Sequence, residues 1–411
     1  MAFSAENRIR PETAAVGDLR AADLAVYVHW PFCKSKCPYC DFNSHVRENI
    51  AQDEWKDAYL RELRFYREKT GPRRLASVFF GGGTPSLMET ATTAAVIEEI
   101  DALWGLPAKT EVTLEANPTS VEADKLKDFR SAGINRVSLG VQALNDGDLK
   151  KLGRQHSAAE ALAAVKIASL IFDRYSFDLI YAREGQSAPQ WRRELRTALA
   201  RAGDHLSLYQ LTIEEGTAFH TLHQRGALTI PDEDSAAELY ETTQEMMEAA
   251  GMPAYEISNH ARPGQESQHN LVYWNYGDYA GIGTGAHGRL TLEQEKWGTR
   301  AHRAPELWLQ AVHQKGNGSH PFENINISAR ATEKIMMGLR LTKGMFLDDF
   351  QQETKIPLLE FLNPKCLKIL VDGGLLEQDR NFLRATGAGR QKLNAVLGFL
   401  LSPQTMQWCA S

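Results

Sequence analysis

Residues 27–42 read Tyr27-Val28-His29-Trp30-Pro31-Phe32-Cys33-Lys34-Ser35-Lys36-Cys37-Pro38-Tyr39-Cys40-Asp41-Phe42. The apolar run Leu24–His29 predicts a short strand, and three cysteines follow it at C-x3-C-x2-C spacing. Three thiolates on one tight loop can hold three irons of a 4Fe–4S cube. The fourth iron then needs an external ligand, and the amino and carboxylate groups of an amino acid can chelate it. In that position an electron from the cluster can cleave a sulfonium C–S bond and make a carbon radical. Zinc is the competing reading: it wants four protein ligands, and His29 or His45 could supply the fourth.

The rest of the chain narrows the setting. Its 411 residues are 43% hydrophobic and 24% charged, enough for one large domain and a smaller one. A net charge of −6 argues against a nucleic-acid binder, which would show a basic patch or stripe. Five cysteines, two of them the distant Cys366 and Cys409, make a poor disulfide framework. Those two read as a small buried hydrophobe and a loose terminal thiol. With no signal-like start and no apolar run of about 18 residues, the cytoplasm is the expected address.

Working outward, strand-like and helix-like stretches alternate. Strands are expected at Leu24–His29, Leu75–Phe80, Glu111–Glu115, Val137–Leu139, Tyr175–Tyr181 and His205–Leu211. Helices are expected at Asp53–Lys69, Thr90–Leu103, Val121–Ala132, Ala158–Ser169, Pro189–Ala202 and Asp234–Ala250. Such alternation predicts a parallel sheet with helices outside, an α/β partial barrel of (β/α)6 type. Chemistry in such barrels sits at the C-terminal strand ends. The unusual residues cluster there: the cysteines, Gly81–Gly83, Glu115–Asn117 and Gly140–Gln142 follow four consecutive strands. The expected organisation is a loose tail over 1–22, the barrel over 23–296, and an α-rich, winged-helix-like domain over 297–411. In that last part, helices near Ala329–Arg340, Pro357–Val371 and Gln391–Phe399 flank a hairpin of Leu375–Glu377 and Phe382–Ala385.

The cysteine spacing resembles the cluster motif of the radical S-adenosylmethionine superfamily. Its context is similar to the oxygen-independent coproporphyrinogen III oxidase group, and the likeness runs over roughly residues 24 to 400. The resemblance implies a cluster on Cys33, Cys37 and Cys40, and S-adenosylmethionine held by Gly82, Gly83 and Thr84. It further implies that Tyr27, Tyr39, Glu115, Gln142, Arg154, Asp178, Thr212 and His287 line the cofactor pocket. A carboxylate such as Glu115 suits a sulfonium or ribose hydroxyl, and Arg154 offers a fork suited to carboxylate. One loop departs from the group: Ala182-Arg183-Glu184-Gly185-Gln186-Ser187 stands where Gly-Leu-Pro-Gly-Gln-Thr is common.

Two markers separate branches. The oxidases resemble C-x3-C-x2-C-x-C, whereas here Phe42 takes the last place. His269-Asn270-Leu271-Val272-Tyr273-Trp274 fits the HNxxYW motif of the haem chaperone branch. Imidazole ligates haem iron and aromatic faces stack on porphyrin, so His269 is the candidate haem ligand. Considered alone, His269 would be an ordinary hydrogen-bonded histidine.

Three functions follow: a haem chaperone, a porphyrinogen oxidase, or a zinc-stabilised barrel. The first implies haem, apo-haemoprotein recipients such as respiratory enzymes, and a reductant as partners. It leaves turnover of S-adenosylmethionine open, along with pairing of two copies and peripheral membrane contact through a recipient.

Overall fold

The computed structural model describes residues 23–402, so the expected tail 1–22 and Cys409 lie outside the described residues. Six parallel strands run in chain order: β1 (Asp23–Trp30), β2 (Arg74–Gly82), β3 (Glu111–Ala116), β4 (Arg136–Gln142), β5 (Arg174–Tyr181) and β6 (His205–Gln210). On the other side of β1 lies β7 (Asp278–Ile282), also parallel. Antiparallel β8 (His287–Leu292) and β9 (Glu295–Arg300) extend that edge. Asn259–Ala261 closes the far edge antiparallel to β6.

Alternation along each strand sorts side chains between two faces. Leu24, Val26, Val28, Val78, Phe80, Leu114, Val137, Leu139, Phe177, Leu179, Leu206 and Leu208 enter the large core beneath the helices. The helices include α1 (Gln52–Thr70), α2 (Thr90–Trp104), α3 (Ala158–Ile171), α4 (Ala188–Leu199) and α5 (Glu233–Ala249). Trp55, Tyr59, Leu63 and Tyr66 on α1 are all buried, as their spacing of three and four requires. The opposite strand face is polar and bonded to itself: Ser138 meets Ser176 at 2.9 Å and donates to Asp178 at 3.2 Å, while Arg136 donates to Ser176 at 2.9 Å. The expected helix Val121–Ala132 is two short ones, Ser120–Asp124 and Leu126–Ser131.

At the inner face's far end lies the short helix α6 (Gln268–Trp274). Glu111 fastens it, accepting from the His269 and Gln268 backbone N–H groups at 3.3 and 3.2 Å. Burial alone would raise this carboxyl, but the Arg136 and Arg174 guanidiniums hold it below its ordinary value.

Residue 297, the expected boundary, falls inside β9. The next helix, α7 (Pro305–Lys315), still puts Trp308 and Val312 into the large core. A second core begins at Ala331 and gathers Ile335, Leu339, Phe350, Leu367, Leu370 and Leu383. It is mostly helical, with a three-stranded sheet ordered Met345–Phe346, Phe382–Ala385, Leu376–Gln378. The expected helix Pro357–Val371 breaks at Asn363-Pro364, where Asn363 caps the helix Pro364–Asp372. Glu333 joins the two parts, bonding Arg289 at 2.9 Å and Tyr276 at 2.6 Å.

Glu62 ties α1 to the turn after β7, to α7 and to the segment that follows α7. Fully buried, it accepts from the Gly283 and Gly318 amides at 2.7 Å each and from the Trp308 indole at 3.2 Å. Burial pushes its carboxyl up to about 7. Glu62→Ala strands three donors and should destabilise the protein by about 3 kcal/mol or more in urea unfolding, with Glu62→Gln milder. Because the folded carboxyl binds its proton more tightly than the unfolded one, this group's contribution falls as pH rises from about 4.5 to about 7. That slope should vanish in Glu62→Gln.

Candidate functional site

At the C-terminal strand ends lies a cavity of about 270 Å³. Cys33, Cys37 and Cys40 line it, with Tyr39, Gly82, Gly83, Thr84, Glu115, Gln142, Arg154 and Asp178. The cysteine loop is closed by a two-residue ladder: Phe32 pairs with His45 and Cys33 with Val46. Within it the Cys40 amide donates to the Cys37 carbonyl at 3.1 Å. The glycine turn presses on this loop. Gly83 N–H donates to Trp30 O at 2.7 Å and Thr84 N–H to Phe32 O at 2.9 Å. A Cβ at Gly83 would stand 2.8 Å from Phe32 O and 3.0 Å from the Cys33 sulfur, so no side chain fits there. Gly82 holds φ +113°, a conformation that favours glycine.

Polar side chains link the sulfurs across the cavity. Thr84 Oγ1 donates to Cys33 Sγ at 3.4 Å and accepts from Asn117 Nδ2 at 3.3 Å. Arg154 donates to Asn117 Oδ1 at 2.6 Å, to Gly140 O at 2.8 Å and to Cys37 Sγ at 3.3 Å. Arg154 Nε is buried and has no hydrogen-bond partner among the described residues. Asn117 is the member of this chain that residue-by-residue reading left unassigned. Its only signal was its place after Glu115 at the end of β3. Gln142 adopts φ +70°, a strained backbone for a residue with a side chain, at the cavity wall.

Burial, and then the nearby Asp178 charge, push Glu115 up to about 8. Burial pushes Asp178 up to about 6. Near pH 7 the cavity therefore presents one carboxylic acid and one carboxylate, able respectively to donate a hydrogen bond and to face a cation. Burial also pushes the Cys33 and Cys40 thiols up, although hydrogen bonds to each oppose it.

Other expected pocket residues lie elsewhere. Tyr27 is on the inner face of β1, where its hydroxyl donates to His29 Nδ1 at 3.0 Å. His29 Nε2 donates to Asn43 O at 2.9 Å, and burial pushes His29 down to about 4. Thr212 is exposed and donates to Glu214 at 2.9 Å, and His287 is exposed at the start of β8. None of the three lines the cavity. His29 uses both ring nitrogens, and His45 Nε2 donates to Arg303 O at 3.1 Å. His29 therefore has no ring nitrogen left to serve as the fourth ligand that zinc would need. Among the described residues, no three His, Cys, Asp or Glu side chains converge on a single-ion site.

His269 does not line this cavity either. It is 3% exposed on the inner side, with Nδ1 2.9 Å from Ser77 Oγ and Nε2 without a hydrogen-bond partner. Phe79 stacks on it at 4.8 Å, Tyr273 lies at 5.0 Å and Tyr27 at 6.2 Å. Burial pushes His269 down to about 3, so the imidazole is neutral and keeps a lone pair.

The divergent loop keeps its shape through charge. Ala182 turns at φ +56°. Arg183 is buried, donates to the Ile180 carbonyl and pairs with Glu194 and with Asp148 at 2.8 Å. Glu184 pairs with Lys151 at 3.1 Å. The stiffness of a proline turn is replaced by a guanidinium bonded on several sides.

Comparison with known proteins places this geometry. The model described as the Radical SAM superfamily matches residues 27–197. The one described as the HemN C-terminal domain matches residues 328–391, within the second core. The solved structure of coproporphyrinogen III oxidase (HemN) from Escherichia coli superposes with TM-score 0.77 over 92% of this chain and 89% of that one, at 20% identity, a likeness of fold. The chain belongs to the radical SAM superfamily, in its coproporphyrinogen III oxidase-like group. Within that group it lies on the branch of Heme chaperone HemW. It is 34% identical to the Escherichia coli (strain K12) protein of that name, over 92% of this chain and 98% of the other. It is 39% identical to radical S-adenosyl methionine domain-containing protein 1, mitochondrial, of Bos taurus, over 97% and 91%.

Asp178→Asn removes the charge that helps hold Glu115 protonated. The carboxylic C=O stretch of Glu115, followed by infrared difference spectroscopy, should then titrate below about 8. The band should be absent in Glu115→Gln. An unmoved midpoint in Asp178→Asn would mean that burial alone sets the value.

Proposed function

We propose that this chain is a haem chaperone. In this reading it holds a 4Fe–4S cluster on Cys33, Cys37 and Cys40, binds S-adenosylmethionine beside it, and delivers haem to apo-haemoproteins. The observation that carries the reading is identity of about a third to Heme chaperone HemW over nearly the full length of both chains, with Phe42 where the oxidases have a cysteine. Phe42 is 59% exposed at the cavity wall.

The residues present fit these groups. Three free thiols border one cavity, the number of protein ligands left when the fourth iron of a cube takes an external one. When bound, the cluster supplies one-electron reduction. The chain's part is to hold and shield: Thr84 and Arg154 donate to two of the sulfurs, Gly83 lets its backbone lie against the cysteine loop, Asp178 faces a cation and protonated Glu115 donates a hydrogen bond. For haem, His269 offers an unpartnered, neutral Nε2 among three aromatic rings, with Ser77 fixing the ring.

The partners under this reading are haem, recipient haemoproteins and a reductant. Thr212 and His287 would serve S-adenosylmethionine only from outside the cavity lining. No helix among the described residues is long and apolar enough to cross a membrane. The reading assigns the protein to the cytoplasm, where thiols stay reduced.

Anaerobic reconstitution should load about four irons and four sulfides, and replacing Cys33, Cys37 or Cys40 with Ala should abolish the visible band. The same preparation should bind haem and pass it to an apo-haemoprotein, while forming no protoporphyrinogen IX from coproporphyrinogen III under reducing, anaerobic conditions. His269→Ala should lower haem occupancy and leave iron and sulfide unchanged. Porphyrinogen turnover by the wild type would return the chain to the oxidase reading.

A further inference from the structure

A groove of about 540 Å³ opens between the C-terminal turn of α1, the β8–β9 hairpin and the segment after α7. That volume falls within the ~300–1,000 Å³ of typical ligand pockets. Its apolar wall includes Phe65, Trp297 and Phe322, each only partly buried. Phe322 is fixed by stacking on Tyr66 at 6.0 Å and meeting Phe65 edge-on at 6.2 Å. The Tyr66 hydroxyl, 3.0 Å from Ser319 Oγ, holds the segment that follows α7 against α1. The hairpin turn has positive φ at Glu293 and Gln294, which brings β8 and β9 into a tight pair and leaves Leu292 and Trp297 on the groove.

The polar members are two lysines, one histidine, the neutral Asn317 and Ser319, and one carboxylate. Lys69 Nζ stands 5.5 Å over the Phe65 ring and Lys315 Nζ donates to the Ser319 carbonyl at 3.1 Å; both amines border the groove without a carboxylate partner among those bonds. His320 also lines it, its ring 4.1 Å from that of His302. Glu293 contributes the single carboxylate.

We propose that this groove docks haem at the protein surface, with His320 as the iron ligand, Lys69 and Lys315 pairing the two propionates, and Trp297, Phe65 and Phe322 covering the macrocycle. Haem is a flat apolar ring with two carboxylates and a Lewis-acid metal, and the groove answers each of the three. The proposal rests on the haem chaperone reading and extends it. His269 is 3% exposed on the barrel's inner side, while handing haem to another protein needs a site that the recipient can reach. The groove supplies that second, outer station.

The test uses the reconstituted full-length chain, titrated with haemin and, separately, with metal-free protoporphyrin, by Soret absorption. His320→Ala should weaken haemin binding at the groove by about tenfold, the loss of one charge-assisted or coordinating contact, and should alter the axial-ligand signature in resonance Raman spectra. It should leave metal-free protoporphyrin binding unchanged. Lys69→Glu/Lys315→Glu should weaken both ligands by at least that factor. Both variants should keep the wild-type iron and sulfide content, which checks that they are folded. Wild-type binding and transfer in both variants, with haem lost in His269→Ala, would overturn the groove and leave the chaperone reading standing. Failure of the wild type to take up haem at all would overturn the chaperone reading itself, and the groove with it.

Discussion

The backbone of Gly83 lies against the strand that carries Cys33, and the mouth of the barrel is organised around that contact. Gly83 N–H meets Trp30 O and Thr84 N–H meets Phe32 O, so the pairing of β1 with β2 continues past both strand ends. The cysteine loop starts from this extension and returns through His45 and Val46. Asn43, whose side chain donates to Thr284 O, pins the same loop to the turn after β7. Three distant segments therefore set where the sulfurs stand. A methyl group at position 83 would collide with backbone oxygen rather than with a movable side chain, so the contact has no easy relaxation.

Inside the barrel the balance of charge differs from end to end. Glu111 and Glu115 share a strand and a face, four residues apart. Arg136 and Arg174 surround Glu111 and keep it ionised, which lets it anchor the helix bearing His269. Glu115 has Asp178 nearby instead and holds its proton to about 8. The same side chain is a structural clamp at one end and a reactive wall at the other, according to which charges its neighbours carry. Burial drives His269, His29 and His156 in the common direction, towards neutrality, in the ranges of about 3 to about 4.

Much of the fold was legible locally. Each of the six strands was expected within two residues of its ends, except β4, which runs further at its C-terminal end, because apolar runs bounded by glycine, proline and polar residues mark where a buried strand starts and stops. The C-x3-C-x2-C loop and Gly81–Gly83 announced their place as well, since chemistry in such sheets collects after the strands. Helices broke where a local capping residue competed with the apolar period, as at Asn363-Pro364.

Sequence by itself determined the alternating α/β architecture, the three thiols, and the strand-end positions of Gly83, Glu115 and Gln142. Those features depend on residue type and short-range order. Tertiary structure alone decided which of them meet. It joined Cys33 to Cys37 through Thr84, Asn117 and Arg154, residues up to 121 positions apart, because parallel neighbours bring successive strand ends together whatever their separation in the chain. It left Tyr27, Thr212 and His287 outside the cavity lining, since strand direction and side-chain facing, rather than proximity in a motif, set where a residue points. It also carried the large sheet past residue 297, because an antiparallel hairpin extends a sheet edge as readily as a strand–helix unit does, without the helical period that makes such units visible.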